Sequence, residues 1–153
     1  MLPIIVILVI IVDQITKYMA LSLKDGKIIQ LIGDHLALEY LENRGAAFGI
    51  LQNQKGLLMA ATVAIIVYLI YFYFQYRNTI NLPMKISIGM ILGGAVGNMI
   101  DRTFRGFVVD FISYTFPNGY RFPIFNIADM AVVIGCCVLI IASFWHKEEE
   151  SIG

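Results

Sequence analysis

Residues 84–102 read MKISIGMILGGAVGNMIDR, and this stretch decides the fold. Its apolar part approaches the roughly 20 residues that a helix needs to cross a bilayer. Gly89, Gly93 and Gly97 recur at four-residue intervals, and small residues at this spacing let two helix backbones approach closely. The stretch therefore predicts a membrane-spanning helix at the centre of a helix bundle.

The end of the same helix is polar. Asn98, Asp101 and Arg102 are three and four residues apart, which places them on one helix face at the membrane boundary. Arg102 directly follows Asp101, so we expect its charge to keep the Asp101 carboxylate ionised in a structural pair. Such a polar face is less common than the glycine spacing.

The composition of the whole chain is that of a membrane protein. Of its 153 residues, 59% are hydrophobic and 14% are charged, whereas soluble domains average about 25% charged residues. A mean hydropathy of +0.78 agrees. The length allows about one domain. A net charge of zero, with no basic patch along the chain, excludes a nucleic-acid-binding protein.

Four stretches are long and apolar enough to be membrane spans, at about 2–23, 57–76, 84–100 and 125–145. The predicted fold class is an all-α membrane protein of four transmembrane helices, in which residues 1–153 form a single integral membrane domain. An even number of spans places both termini on the same side of the membrane.

The two long connections, about 24–56 and 101–124, lie on the side opposite the termini. They contain β-branched and aromatic residues near 28–32 and 120–124, so we expect short strands and a small cap there. The side of the long connections holds Lys24, Lys27, Arg44, Lys55, Arg102, Arg105 and Arg121, and the side of the termini holds Arg77, Lys85 and Lys147. Because cytoplasmic loops are rich in Lys and Arg, this count alone places the long connections in the cytoplasm.

Two ionisable residues lie within the first span. A charged side chain at the centre of a membrane helix costs about 2.5–3.5 kcal/mol, so each needs a partner. Asp13 and Lys17 are four residues apart and can pair on one face of the helix. We interpret them as a structural ion pair that anchors this helix to its neighbours.

Two further acids lie near one membrane face. Asp110 stands alone in the apolar run GFVVDF, and Asp129 follows Asn126 by three residues at the start of the fourth span. If the two carboxyls meet within about 4 Å, a repulsion of about 4 kcal/mol keeps one of them protonated. One protonated and one ionised carboxyl is the equipment of an aspartic protease. We therefore infer a catalytic pair of Asp110 and Asp129.

Other functions are open at this point. His35 and His146 are too few and too scattered for a zinc site or a Ser/His triad, so no metal and no cofactor are expected. A small proton or cation transporter would need acids near the span midpoints and short connections. A non-catalytic assembly subunit would leave both acids unexplained. Asp101 is a rival for the second acid of the pair.

Five blocks of sequence give the chain a family resemblance. They are DQITK (13–17), NRGAAFG (43–49), GGAVGNMIDR (93–102), VVDF (108–111) and FNIAD (125–129). In order and approximate spacing they resemble the bacterial lipoprotein signal peptidase family, also called signal peptidase II. Any one block is weak, but five in order are highly specific.

The resemblance implies an endopeptidase that removes signal peptides from prolipoproteins, cutting just before a cysteine that carries a diacylglyceryl group. The two catalytic aspartates of the family fall on Asp110 and Asp129. Residues that line or support the site fall on Asn43, Arg44, Gly45, Asn98, Arg102 and Asn126. The implied partners are the lipid-modified prolipoprotein, membrane lipid and cyclic-peptide inhibitors of the globomycin type.

The family also implies a position in the bacterial cytoplasmic membrane, with both termini in the cytoplasm. The active site then lies at the outer face, below a small extracytoplasmic β-cradle and a mobile loop or short helix. This contradicts the charge count. We prefer the orientation of the family, because Arg44 and Arg102 belong to site motifs and the substrate is met after export.

A lipid-modified substrate stays anchored in the bilayer, so its scissile bond must reach the acids sideways from the membrane. We expect a groove for acyl chains beside the acids and a cap over the peptide made from residues 43–48 and their flanks. The residues predicted to line this groove are Phe107, Val108, Val109, Phe111 and Ile127.

Overall fold

The computed structural model describes residues 1–45 and 51–152, with side chains described as far as residue 144. The predicted cap over residues 43–48 is therefore described only as far as Gly45, and the rest of it lies outside the described residues.

Four helices and four strands make up the described chain. The helices are α1 (Leu2–Ala20), α2 (Lys55–Tyr76), α3 (Leu82–Phe104) and α4 (Ile127–Ile152). A short 3-10 helix at Leu21–Leu23 continues α1. The strands are β1 (Ile29–Ile32), β2 (Leu36–Asn43), β3 (Val108–Thr115) and β4 (Arg121–Phe125), and they form one antiparallel sheet in that order.

All four helices are long and apolar enough to cross a membrane, which confirms the predicted fold class of four spans with a small sheet. The third span is longer than predicted, because the Asn81 side chain accepts the backbone N–H of Met84 at 3.1 Å and so caps an earlier start. The fourth helix begins at Ile127, two residues after the approximate start predicted for the fourth span, because Phe125 pairs with Ile112 in the sheet.

Helix α3 lies at the centre of the bundle, as its glycines predict. A Cβ atom added to Gly93 would lie 2.7 Å from Cβ of Val9 in α1, and one added to Gly94 would lie 2.4 Å from the carbonyl oxygen of Ala128 in α4. Such distances leave no room for a side chain, so the backbone of α3 touches both neighbours directly. Helix α2 also packs on α3, through an apolar cluster that includes Leu69.

The alternation of side chains along β3 separates two environments. Val108 and Asp110 face a cleft that is bounded by α2, α3 and α4. Val109 and Phe111 point to the other face of the sheet, where they pack with Ala20 at the end of α1. The strand thus places a carboxyl group on one side and anchors itself to the bundle with the other.

Candidate active site

Asp110 and Asp129 line the same cleft, which has a volume of about 910 Å³. Its polar end also contains Asn43, Asn98 and Arg102. These five residues come from β2, α3, β3 and α4, so the fold brings together side chains that are far apart in the sequence. The structure thus brings the two predicted acids into one cleft.

Asn126 connects the two acids. Its side-chain amide nitrogen Nδ2 donates to Oδ1 of Asp110 at 2.6 Å, while its Oδ1 accepts the backbone N–H of Asp129 at 2.9 Å. In return, Oδ2 of Asp129 accepts the backbone N–H of Asn126 at 3.2 Å. This reciprocal pair of bonds is a capping box at the start of α4. The residue that begins the helix therefore also holds Asp110.

Asp110 is almost fully buried, with a relative exposure of 1%. Its Oδ2 accepts the side-chain amide of Asn43 at 2.8 Å, so each carboxyl oxygen has one donor. Burial is the main cause that raises the pKa of Asp110 to about 7, and the charge of Asp129 acts in the same direction, while the hydrogen bonds from Asn43 and Asn126 and the charge of Lys17 oppose the rise. Asp110 is consequently a carboxyl group that holds its proton up to near-neutral pH.

Asp129 has a different environment. It lies in the first turn of α4, where the helix dipole favours negative charge. Its Oδ1 accepts the side-chain amide of Asn98 at 2.8 Å, and its Oδ2 is part of the capping box. The guanidinium of Arg102 interacts electrostatically with both Asp129 and Asp110. This surrounding suits an ionised carboxylate.

Arg102 and Gly45 close the polar end of the cleft. Nη2 of Arg102 donates to the carbonyl oxygen of Gly45 at 3.0 Å, and the N–H of Gly45 donates to Oδ1 of Asn43 at 2.9 Å. The second bond fixes the Asn43 amide so that its Nδ2 faces Asp110. Arg44 is not part of the cleft lining; its side chain is 55% exposed and pairs at 3.1 Å with Glu42, which lies at the edge of the cleft.

Asp13, Lys17 and Asp101 form a buried network behind the site. Nζ of Lys17 lies 2.9 Å from Oδ2 of Asp13 and 3.1 Å from Oδ2 of Asp101, so the predicted pair of Asp13 and Lys17 is present. The expected partner of Asp101 is wrong. Asp101 pairs with Lys17 and, one helical turn away, with Arg105 at 2.9 Å, because side chains four residues apart share a helix face and adjacent ones do not.

The predicted groove lining is mostly wrong. Of the five predicted residues only Val108 lines the cleft, because neighbours of Asp110 at odd spacing point to the opposite face of the strand. Val109, Phe111, Phe107 and Ile127 belong instead to the apolar cluster around Ala20. The observed walls are supplied mainly by the helices and by β4, through Thr62, Ile65, Ile91, Ala95, Met130, Val132, Val133, Ile134, Phe122, Pro123, Ile124 and Phe125.

Part of this lining carried a signal in the sequence. Ile91, Ala95, Asn98 and Arg102 recur at spacings of four, three and four residues, which is one continuous face of α3 that runs from apolar to polar. Among the described residues, no group of three or more His, Cys, Asp or Glu side chains is placed to hold a metal ion.

Comparisons of the sequence agree with one another. The sequence profile of a family described as Signal peptidase (SPase) II matches residues 5–145. A lipoprotein signal peptidase of Clostridium novyi (strain NT) is 46% identical over 138 residues, which cover 90% of this chain and 93% of that protein. The lipoprotein signal peptidase of Clostridium tetani (strain Massachusetts / E88) is 44% identical over 147 residues, covering 95% and 92%.

Comparison of the fold gives the same result. A solved bacterial membrane enzyme structure, obtained by the in meso method at 2.3 Å resolution, superposes with a TM-score of 0.86 at 38% identity and covers 97% of this chain and 90% of that one. A second such structure, at 1.9 Å resolution, gives a TM-score of 0.80 at 40% identity, covering 92% and 90%. The chain therefore belongs to the signal peptidase II family of bacterial membrane proteases, the lipoprotein signal peptidases.

Proposed function

We propose that the chain is an aspartic endopeptidase that cuts prolipoproteins just before a diacylglyceryl-modified cysteine. The observation that carries the proposal is the bridge made by Asn126, which ties two carboxyls of unlike environment into one cleft. A buried acid with a pKa of about 7 and a carboxylate at a helix N-terminus are suited to opposite roles in proton transfer.

In the proposed reaction, the Asp129 carboxylate removes a proton from a water molecule and Asp110 donates its proton to the carbonyl oxygen of the scissile peptide bond. The water oxygen bonds to the carbonyl carbon and gives a tetrahedral diol. When the C–N bond breaks, the proton held by Asp129 passes to the leaving nitrogen and a diol hydroxyl returns its proton to Asp110. Both carboxyls thereby regain their starting states.

The shape of the cleft supports a substrate that approaches from lipid. Its polar end holds the two acids, and its long walls are apolar faces of α2, α3 and α4. The acyl chains of a diacylglyceryl cysteine fit along these walls, while Asn43, Asn98 and Arg102 meet the peptide. The same surface suits membrane lipid and an apolar cyclic peptide of the globomycin type, which we expect to compete with substrate.

The direct test uses purified protein in nanodiscs and a diacylglyceryl-cysteine peptide with a fluorophore and a quencher on either side of the scissile bond. Asp110→Asn and Asp129→Asn should each lower kcat by at least about 10³-fold, because each removes one proton carrier. Asp34→Asn is the matched control, since Asp34 is an exposed acid in the turn between β1 and β2 and does not line the cleft. Cleavage by either cleft variant within tenfold of the starting protein would refute the mechanism.

Substrate choice needs a second comparison, with an unlipidated peptide of the same sequence. We expect the diacylglyceryl form to be cut at least about 10²-fold faster in kcat/KM, because each buried methylene of the acyl chains contributes about 0.8 kcal/mol of binding. Equal rates for the two peptides would show that the cleft does not recognise the acyl chains, but they would not affect the proposed catalytic roles of the two acids.

The proposed orientation places both termini in the cytoplasm and the sheet with its cleft at the outer face of the cytoplasmic membrane. Reporter tags near Gly26 and Asn118 should then be extracytoplasmic, and a tag at Asn78 should be cytoplasmic. The opposite labelling would favour the Lys and Arg count over the family orientation.

A further inference from the structure

Behind the two acids of the cleft lies a buried trio of charges, Asp13, Lys17 and Asp101. The side chains of all three have no exposed surface. Pairing of a buried lysine with two carboxylates is an expensive way to hold helices together, because desolvation offsets much of the attraction. Helices α1 and α3 already contact each other through the glycines of α3. The trio therefore calls for a role beyond adhesion.

Each carboxylate of the trio accepts a hydrogen bond from the backbone N–H of the residue that directly precedes one acid of the cleft. Oδ1 of Asp13 accepts the N–H of Ala128 at 2.9 Å, and Ala128 precedes Asp129. Oδ2 of Asp101 accepts the N–H of Val109 at 3.1 Å, and Val109 precedes Asp110. One acid thus holds the start of α4 and the other holds the start of β3.

Lys17 connects these two carboxylates with each other and with the side chain of Asn98. Its Nζ donates to Oδ2 of Asp13, to Oδ2 of Asp101 and, at 2.9 Å, to Oδ1 of Asn98, which uses all three of its N–H groups. With its oxygen held by Lys17, Asn98 must present its Nδ2 on the other side, where it meets Oδ1 of Asp129 at 2.8 Å. A single ammonium group therefore connects the two carboxylates that hold the backbone before each acid with Asn98, whose amide donates to Asp129.

We propose that Lys17, with Asp13 and Asp101, acts as a set of positioning residues that fixes the separation and orientation of Asp110 and Asp129. This inference rests on the proposed function, since it assigns the trio to the same reaction. It differs from an anchoring role in what it predicts, because anchoring affects how much protein folds, whereas positioning affects the rate of each folded molecule.

The test is the double variant Asp13→Asn/Lys17→Met. It removes one charge of each sign, so the net charge is unchanged, and Asp101 keeps its pair with Arg105. The new asparagine can still accept the N–H of Ala128, so the cap on α4 is retained while its link to Asp101 is lost. We expect kcat to fall about 10- to 100-fold, as for a misplacement of roughly 1 Å, with KM changed less than about threefold.

The pH profile of kcat gives a readout that an anchoring role would not move. Repulsion between two nearby carboxyls spreads the two limbs of the profile apart, and this repulsion weakens as the carboxyls separate. The double variant also loses the charge of Lys17, which lowers the pKa of Asp110, so the profile is compared in a second variant that keeps Lys17, Asp101→Asn/Arg105→Gln, which should have a narrower profile than the starting protein. A folded double variant with kcat within twofold of the starting protein would overturn the proposal.

Gly89→Ala is the matched control for packing between α1 and α3. Its Cβ would lie 2.9 Å from Cγ2 of Ile5, at the other end of the same helix contact. We expect it to lower the thermal midpoint of unfolding while kcat per folded molecule stays within twofold. A loss of kcat equal to that of the double variant would show that helix contact in general, and not the trio, governs the rate.

The second variant, Asp101→Asn/Arg105→Gln, breaks the other link and leaves Asp13 paired with Lys17. It should lower kcat in the same way and narrow the pH profile of kcat. If the first variant does not fold, this second variant decides whether the trio positions the two acids. If neither folds, the trio serves folding and the proposal is overturned. Failure of the proposed function is seen separately, as inactivity of the unmodified protein on the lipopeptide or full activity of Asp110→Asn.

Discussion

The contact between α1 and α3 is made in opposite ways at its two ends. At one end, Gly89 and Gly93 let Ile5 and Val9 lie directly on the backbone of α3. At the other end, Gly97 makes room for the carboxylate of Asp13, which lies 2.6 Å from where a Cβ would be. The same spacing of glycines thus serves apolar packing in one place and a buried ion network in the other.

The difference shows what each kind of contact can do in a membrane. Lipid is as apolar as a leucine side chain, so close apolar packing holds helices together through shape and fixes little else. The polar end adds hydrogen bonds with defined donors and acceptors, and these determine the placement of Asn98, Asp110 and Asp129. Adhesion and chemical alignment are therefore assigned to different ends of one interface.

After the two acids themselves, the largest effect should come from the amide that joins them. Asn126→Ser can still cap α4, because a serine oxygen accepts the N–H of Asp129, but it cannot reach Asp110 with a second donor. We expect kcat to fall about 100-fold. Asn126→Ala should show the same loss together with a destabilisation of about 0.5–2 kcal/mol from the missing cap. Thermal unfolding and kcat are measured for both, and equal activity of Asn126→Ser and the starting protein would contradict the bridge.

A smaller effect separates the two ends of the glycine row. Gly97→Ala should push the Asp13 carboxylate away from Lys17 and lower kcat about tenfold, besides a cost of about 1–3 kcal/mol from overpacking. The same change at Gly89 meets only the apolar side chains of Ile5 and Leu2 and should lower stability alone. Unfolding midpoints and kcat of the two variants test this. Equal losses of kcat would remove the distinction between the ends.

A pH effect on stability should come from Asp110 at the polar end of the cleft. The pKa of Asp110 is raised from 3.8 to about 7, so between these values the folded chain holds a proton that the unfolded chain has released. The contribution of Asp110 to stability is thus complete below about pH 4 and is lost as the pH rises towards 7. In Asp110→Asn the fall in unfolding midpoint between pH 4.5 and 7.5 should be shallower. A parallel fall in both proteins would refute this origin.

The smallest effect is expected at the surface of the sheet. Lys24 lies 3.5 Å from Glu42, but 62% of its side chain is exposed. Water and salt screen such a pair, so Lys24→Gln should change stability by less than about 0.5 kcal/mol and kcat by less than twofold. Unfolding in nanodiscs and the peptide assay check this, and a larger loss would show that Glu42, at the edge of the cleft, depends on Lys24.

The sequence predicted the four spans and singled out Asp110 because both signals are strong and local. A run of 20 apolar residues leaves few alternatives, and an isolated Asp110 in an apolar run requires a reason. The two middle strands, β2 and β3, were harder to predict. β2 carries Glu39 and Glu42 among apolar residues, and Lys24 and Arg121 that pair with such acids lie in other segments.

The walls of the cleft were misassigned for a different reason. The prediction treats residues adjacent to Asp110 in sequence as neighbours in the site, but adjacent residues in a strand lie on opposite faces, so Val109 and Phe111 point away from the cleft. The role of Arg105 was missed because its partner is one helical turn away. Tertiary contacts such as Asp13 with Ala128 join residues that no local pattern connects.

Helix α2 is held along a single line of contacts, where Leu69 is its buried residue among those described and Ile66, Phe72 and Tyr73 pack beside it. Its 22 residues correspond to a length of about 33 Å, close to the roughly 30 Å thickness of a bilayer interior. Apart from the face that lines the cleft with Thr62 and Ile65, the remaining surface of the helix is constrained mainly by the thickness and fluidity of the surrounding lipid. Chains in membranes of other thickness can therefore change the length of α2 and the composition of its lipid-facing surface without disturbing the chemistry that its neighbours carry.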